Sequence, residues 1–120
     1  MRARILLAAA GLLLGGLGAA RAHAFLDHAQ PRVGSTVKVA PKELRLWFTD
    51  DLDPAGTSVA LLDAAGKAVT TAKPIVDAKD DMVLVLALPV LPPGRYKVVW
   101  QATCPQGHVT KGDFAFLMKP

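Results

Sequence analysis

Four side chains dominate the chemistry this sequence can offer. His23, His28 and His108 are its three histidines, and Cys104 is its one cysteine. His23 matters because of what precedes it. Arg2 and Arg4 are followed by an apolar run from Ile5 to Leu17 and then by Ala20-Arg21-Ala22. A charged start, an apolar middle and an A-x-A signal read as a secretory signal peptide over residues 1–22, cut after Ala22. His23 then becomes the first residue of the mature chain and presents two nitrogens, the α-amine and the imidazole. The amine has a reference pKa of about 7.7–8.0, so near neutral pH a metal ion need only displace a weakly held proton. Amine and ring together close a chelate, and nitrogen donors suit copper(II).

His108 can add a third nitrogen. It ends the turn-like stretch Pro105-Gln106-Gly107-His108, between two strong strand patterns. Three nitrogens and an oxygen make a tetragonal site, which favours copper(II) over zinc. The alternatives are a terminal histidine that merely frays and a turn histidine that is merely solvated. Strand alternation puts Asp27 on the side of His23 and turns His28 the other way, so His28 reads as a rim or hydrogen-bonded residue. A single cysteine excludes an internal disulfide framework. Cys104 is left as a small buried apolar residue, an intermolecular bridge or a metal ligand.

These residues need a scaffold of limited size. Residues 23–120 make 98 residues, enough for one small domain. The formal charge of +4 belongs mostly to the leader: without Arg2, Arg4 and Arg21 the chain carries 11 basic and 10 acidic side chains. Lys and Arg are scattered singly, which does not suit a nucleic-acid partner. After the first segment no apolar run approaches the roughly 20 residues of a membrane helix; Met82 to Val90 is the nearest. An uncleaved anchor is the other reading of residues 5–20, but the run is short and broken by Gly11, Gly15, Gly16 and Gly18. Asp50, Asp51 and Asp53 lack the glycine and later glutamate of a calcium loop and read, like Asp80-Asp81, as solvated turns. Met82 and Met118 read as core filler, which leaves no methionine site for copper(I).

The rest of the chain alternates in short runs separated by Pro, Gly and Asp, the pattern of an all-β sandwich. Strands are expected at Phe25–Ala29, Glu43–Thr49, Ser58–Leu62, Met82–Leu88, Arg95–Thr103 and a last run through Phe114, Phe116 and Met118. Asp63-Ala64-Ala65-Gly66 is expected to join two strands of a hairpin. The count of about seven suits an immunoglobulin-like sandwich, without the Cys…Trp…Cys signature of antibody domains. Leu44, Leu46 and Phe48 should share the core face, as should Tyr96, Val98, Trp100 and Ala102. Trp47 should face outward.

Taken in order, several of these segments resemble the CopC-like periplasmic copper-binding domains. They are His23-Ala24-Phe25-Leu26 with Pro31 and Gly34, Ala40-Pro41-Lys42-Glu43-Leu44-Arg45-Leu46-Trp47-Phe48-Thr49, Leu91-Pro92-Pro93-Gly94-Arg95-Tyr96-Lys97-Val98-Val99-Trp100, Gly107-His108 and Gly112-Asp113-Phe114-Ala115-Phe116. The resemblance implies a seven-stranded Greek-key β-sandwich in the bacterial periplasm. It also implies a copper(II) site made from the N-terminal histidine, a later histidine and an aspartate two residues before it. His23 and His108 match; the aspartate position is Gln106. Asp27 or Cys104 could supply the missing donor, Cys104 drawing the site toward copper(I), or the site could be weak.

The expected function is a monomeric periplasmic copper carrier or buffer that passes its ion to a periplasmic or inner-membrane transport partner. A β-sandwich binding module with a decayed metal site is the alternative. A copper-dependent oxidative enzyme is the third, disfavoured by the small surface of a 98-residue domain. No Ser-His-Asp pattern or pair of catalytic carboxylates stands out.

Overall fold

The computed structural model describes residues 23–120; the expected leader, residues 1–22, lies outside the described residues. Eight strands form two four-stranded sheets. In chain order they are β1 (Leu26–Gln30), β2 (Thr36–Val37), β3 (Glu43–Phe48), β4 (Ser58–Leu62), β5 (Ile75–Val76), β6 (Val83–Ala87), β7 (Gly94–Thr103) and β8 (Val109–Met118). One sheet runs β1-β3-β6-β5 and the other β2-β8-β7-β4. The chain crosses between layers repeatedly, and every pairing is antiparallel except β2 with β8. The all-β sandwich expectation holds, with eight strands rather than seven. The additions, β2 and β5, have two residues each, too short to display an alternation. The hairpin after β4 returns only as the single bridge Leu62 to Ala68. Among the described residues no helix is long and apolar enough to cross a membrane.

The period-2 pattern decides which side chains meet between the sheets. Leu44, Leu46 and Phe48 of β3 face Val98, Trp100, Phe114 and Phe116 of the opposite layer, all buried in one cluster. Each such side chain contributes about 1.5–3 kcal/mol by leaving water. Strand β6 departs from alternation, with Val83 to Leu86 all buried. It lies between β3 and β5, so its outward Val83 and Val85 are covered by their cross-strand neighbours Trp47, Arg45 and Ile75. Met118 is core, as expected. Met82 is not: it lies just before β6 and is 39% exposed, because the Asp80–Met82 turn precedes the strand rather than belonging to it.

Tyr96 ties the β6–β7 connection to the core. Its hydroxyl donates to the Pro92 carbonyl at 2.6 Å, and its ring stacks on Phe116 at 5.7 Å between centroids. Burial first, and the nearby Asp63 carboxylate second, raise its pKa above the ordinary value of 10.0. The folded state therefore holds this proton longer than the unfolded state, and stability falls as pH rises above 10. Tyr96→Phe removes the bond and leaves the Pro92 carbonyl at a solvated turn. The expected loss is about 1 kcal/mol, read as a lower urea midpoint at unchanged slope.

Candidate metal centre

The candidate site lies at one mouth of the sandwich. Residues 23–25 cross that mouth before β1 begins and are pinned to both layers. On the β3 side, the Thr49 hydroxyl accepts from the Phe25 amide at 2.9 Å and donates to the His23 carbonyl at 3.5 Å. The Thr49 amide returns a bond to the Phe25 carbonyl at 2.9 Å. On the other side, the Thr110 hydroxyl of β8 donates to the Ala24 carbonyl. Ala24 is fully buried between these anchors. A small side chain is required there, and alternation leaves the flanking His23 and Phe25 side chains directed away from the core.

His108 comes from the hairpin joining β7 to β8. The Gly107 amide donates to the Cys104 carbonyl at 2.8 Å, and the Cys104 amide donates to the His108 carbonyl at 3.1 Å. Pro105 and Gln106 occupy the turn centre, and Gly107 has φ +91°, the left-handed position that closes such a hairpin and that glycine takes without strain. The base of the hairpin is clamped in turn. The Thr103 hydroxyl donates to the Gly56 carbonyl at 2.7 Å, the Gln101 side-chain Nε2 donates to the same carbonyl at 3.0 Å, and the Asp53 backbone amide donates to the Thr103 carbonyl at 2.7 Å. Asp53 caps the short turn Pro54–Gly56 and Asp50 accepts from the Asp51 amide, so these aspartates serve their own loop.

The outcome is that His23 and His108, 85 positions apart in sequence, stack at the mouth with ring centroids 4.6 Å apart and planes tilted by 34°. That spacing is compatible with two imidazoles sharing one ion. With metal–nitrogen bonds of about 2.0 Å, ring centres about 1.1 Å farther out and a right angle at the ion, the centroids would stand about 4.4 Å apart. His23 is half-buried and His108 exposed, so an ion could be exchanged from solvent. Among the described residues no three His, Cys, Asp or Glu side chains are gathered in metal-holding geometry.

The other sequence-singled residues fall as follows. Cys104 is fully buried beneath the hairpin, its Sγ 3.7 Å from His108 Nδ1. Gln106 is exposed at the turn centre, two residues from His108. Asp27 is held elsewhere: its carboxylate accepts from His28 Nδ1 at 2.7 Å. Neighbouring residues of a regular strand point to opposite faces. The register of β1 against β3 shifts between Leu26 and His28, and such an irregularity re-aims side chains, which lets these two meet. His28 also lies flat on Trp47, at 4.4 Å and 11°, on the outward face expected for that tryptophan. The sequence gives no sign of the anchors Thr49 and Thr110. The Thr110 bond spans 86 positions, and no local pattern announces it.

The sandwich has counterparts among known proteins. The family model described as the CopC domain matches residues 26–119. The chain belongs to the CopC domain family. Among curated relatives, this CopC-domain chain is 30% identical to Copper resistance protein C of Escherichia coli over 117 residues, covering 91% of each chain. It is 28% identical to Protein YobA of Escherichia coli strain K12 over 99 residues, 82% of this chain and 80% of the relative. Among solved structures it is similar to CopC from Methylosinus trichosporium OB3b, with TM-score 0.77 and 32% identity over 82% of this chain and 95% of that one. PcoC, a methionine-rich copper resistance protein from Escherichia coli, gives TM-score 0.74 and 27% identity over 82% of this chain and all of the other. The present CopC-domain chain has three methionines in all.

Proposed function

We propose that the protein, cleaved after Ala22, binds one copper ion, chiefly copper(II), and carries or buffers it in the periplasm without acting as an enzyme. The observation that carries this reading is the 4.6 Å pairing of His23 and His108 at an open mouth. The ligands are the α-amine and ring of His23 and the ring of His108. Membership of a family whose relatives include copper resistance proteins supports copper as the cargo. The nitrogen-rich donor set favours copper(II). An ion held by few side chains near solvent can be handed on, and the natural recipient is another copper protein of the same compartment.

Isothermal titration of the cleaved monomer tests the reading. Copper(II) should bind with one-to-one stoichiometry and a Kd below about 1 μM, equivalent to about 8 kcal/mol. Electron paramagnetic resonance should resolve hyperfine coupling from three nitrogens. Absence of binding at micromolar concentration, or an identical melting temperature with and without copper, overturns it in favour of a sandwich that has lost its metal.

Gln106 gives a second measurement. Its amide oxygen is a neutral donor in place of a carboxylate. Gln106→Asp adds a negative charge close to a dication at a partly screened position, and copper(II) affinity should rise about tenfold or more. Asp27→Ala is the control. Its carboxylate belongs to an exposed pair with His28, so affinity should stay within about twofold.

A further inference from the structure

The buried thiol beneath His108 has a role distinct from that of a ligand. We infer that Cys104 is a positioning residue: its Sγ accepts the Nδ1 proton of His108, fixes that ring as the Nδ1–H tautomer and leaves the Nε2 lone pair for the ion. This rests on the copper reading of His108 made above.

Three observations support it. The Sγ···Nδ1 distance is 3.7 Å, within reach of a hydrogen bond to sulfur. The backbones of the two residues are locked together, the Cys104 amide donating to the His108 carbonyl and the Gly107 amide to the Cys104 carbonyl. The contact is therefore built into the hairpin rather than made by two wandering side chains. Cys104 is fully buried while His108 is exposed, so water competes poorly for the Nδ1 side and freely reaches the far side of the ring. A ring nitrogen facing the buried sulfur is turned from solvent, and the opposite nitrogen is the one an incoming ion meets. Metal-binding histidines commonly donate their other ring N–H to a carboxylate, carbonyl or water, and removing such a partner typically weakens metal affinity 10–100-fold. Here a sulfur occupies that place. A thiol is a weak acceptor, so it orients the ring with less electron donation than a carboxylate would give.

The assignment is tested by nitrogen-15 NMR of the metal-free, cleaved protein above the imidazole titration range, comparing wild type with Cys104→Ala and Cys104→Val. Thermal unfolding of each variant confirms that the fold is kept, and the valine variant, which also lacks an acceptor, serves if the alanine variant does not fold. The expected result is a dominant Nδ1–H tautomer of His108 in the wild type. In Cys104→Ala it should give way to a mixture, and copper(II) affinity should fall about tenfold with altered hyperfine coupling. An unchanged tautomer in the folded variant, or an Nε2–H tautomer in the wild type, overturns the assignment. A wild-type protein that binds no copper overturns the proposed function instead, and the tautomer comparison, made without metal, still decides the contact.

Discussion

Acetylating the α-amine of His23 is expected to weaken copper(II) binding by at least about 100-fold. Acetylation converts the His23 nitrogen from an amine to an amide. With no free amine beside it to anchor the ion, that amide keeps its proton near neutral pH, so the chelate is lost and two imidazoles remain. Loss of even an outer partner of a metal-binding histidine costs 10–100-fold; loss of a direct donor and of its chelate ring should reach or exceed the upper figure, about 2.7 kcal/mol. The His23–His108 pairing, set by Thr49, Thr110 and the β7–β8 hairpin, would remain. The measurement is a copper titration of the cleaved protein beside its N-terminally acetylated form, with electron paramagnetic resonance counting nitrogens in each. Equal affinities would remove the amine from the site.

Gly112→Ala is expected to destabilise the domain by about 2–3 kcal/mol. Gly112 of β8 lies opposite Trp100 of β7, and the indole fills the space a side chain would take. A methyl group at Gly112 would lie 2.5 Å from Trp100 Cζ2 and 2.8 Å from Cε2. The ring has no room to yield. It packs edge-on against Phe48 at 5.3 Å, and it is 7% exposed. The midpoint of thermal unfolding should drop by roughly 10–20 °C for a domain of this size. The same change in a Trp100→Phe background should cost markedly less, because the smaller ring lacks the atoms that collide. Additive effects in that double-mutant cycle would show that the two residues do not compete for one space.

How much was legible follows from the range of each interaction. Strands β3, β4 and β7 were readable because one face of each is buried and alternation is a local signal; Leu44, Leu46 and Phe48 declare their strand unaided. Strands β2 and β5 were not, since Thr36–Val37 and Ile75–Val76 exist only through a neighbouring strand. Hydrophobicity alone puts Met82 in the core, because it carries no information about which residue a turn expels. At the site, residue type and a likeness to a known family single out His23 and His108, while their proximity depends on the topology of the sandwich. Alternation assigns Asp27 a side, which a register shift in β1 undoes. The contact of Cys104 with His108 is close in sequence yet invisible there, because it depends on a turn that folds four residues back on themselves.

Under the proposed cleavage after Ala22, the strap across the sandwich mouth has a consequence for maturation. Ala24 is wholly enclosed and its carbonyl is tied to Thr110, so a peptidase erring one position downstream would leave a charged ammonium where the packing admits none. An error one position upstream would turn the His23 nitrogen into an amide and change the donor set. If the chain is exported as proposed, a precursor still inside the cell, with that nitrogen acylated, would lack the amine donor until trimming had finished.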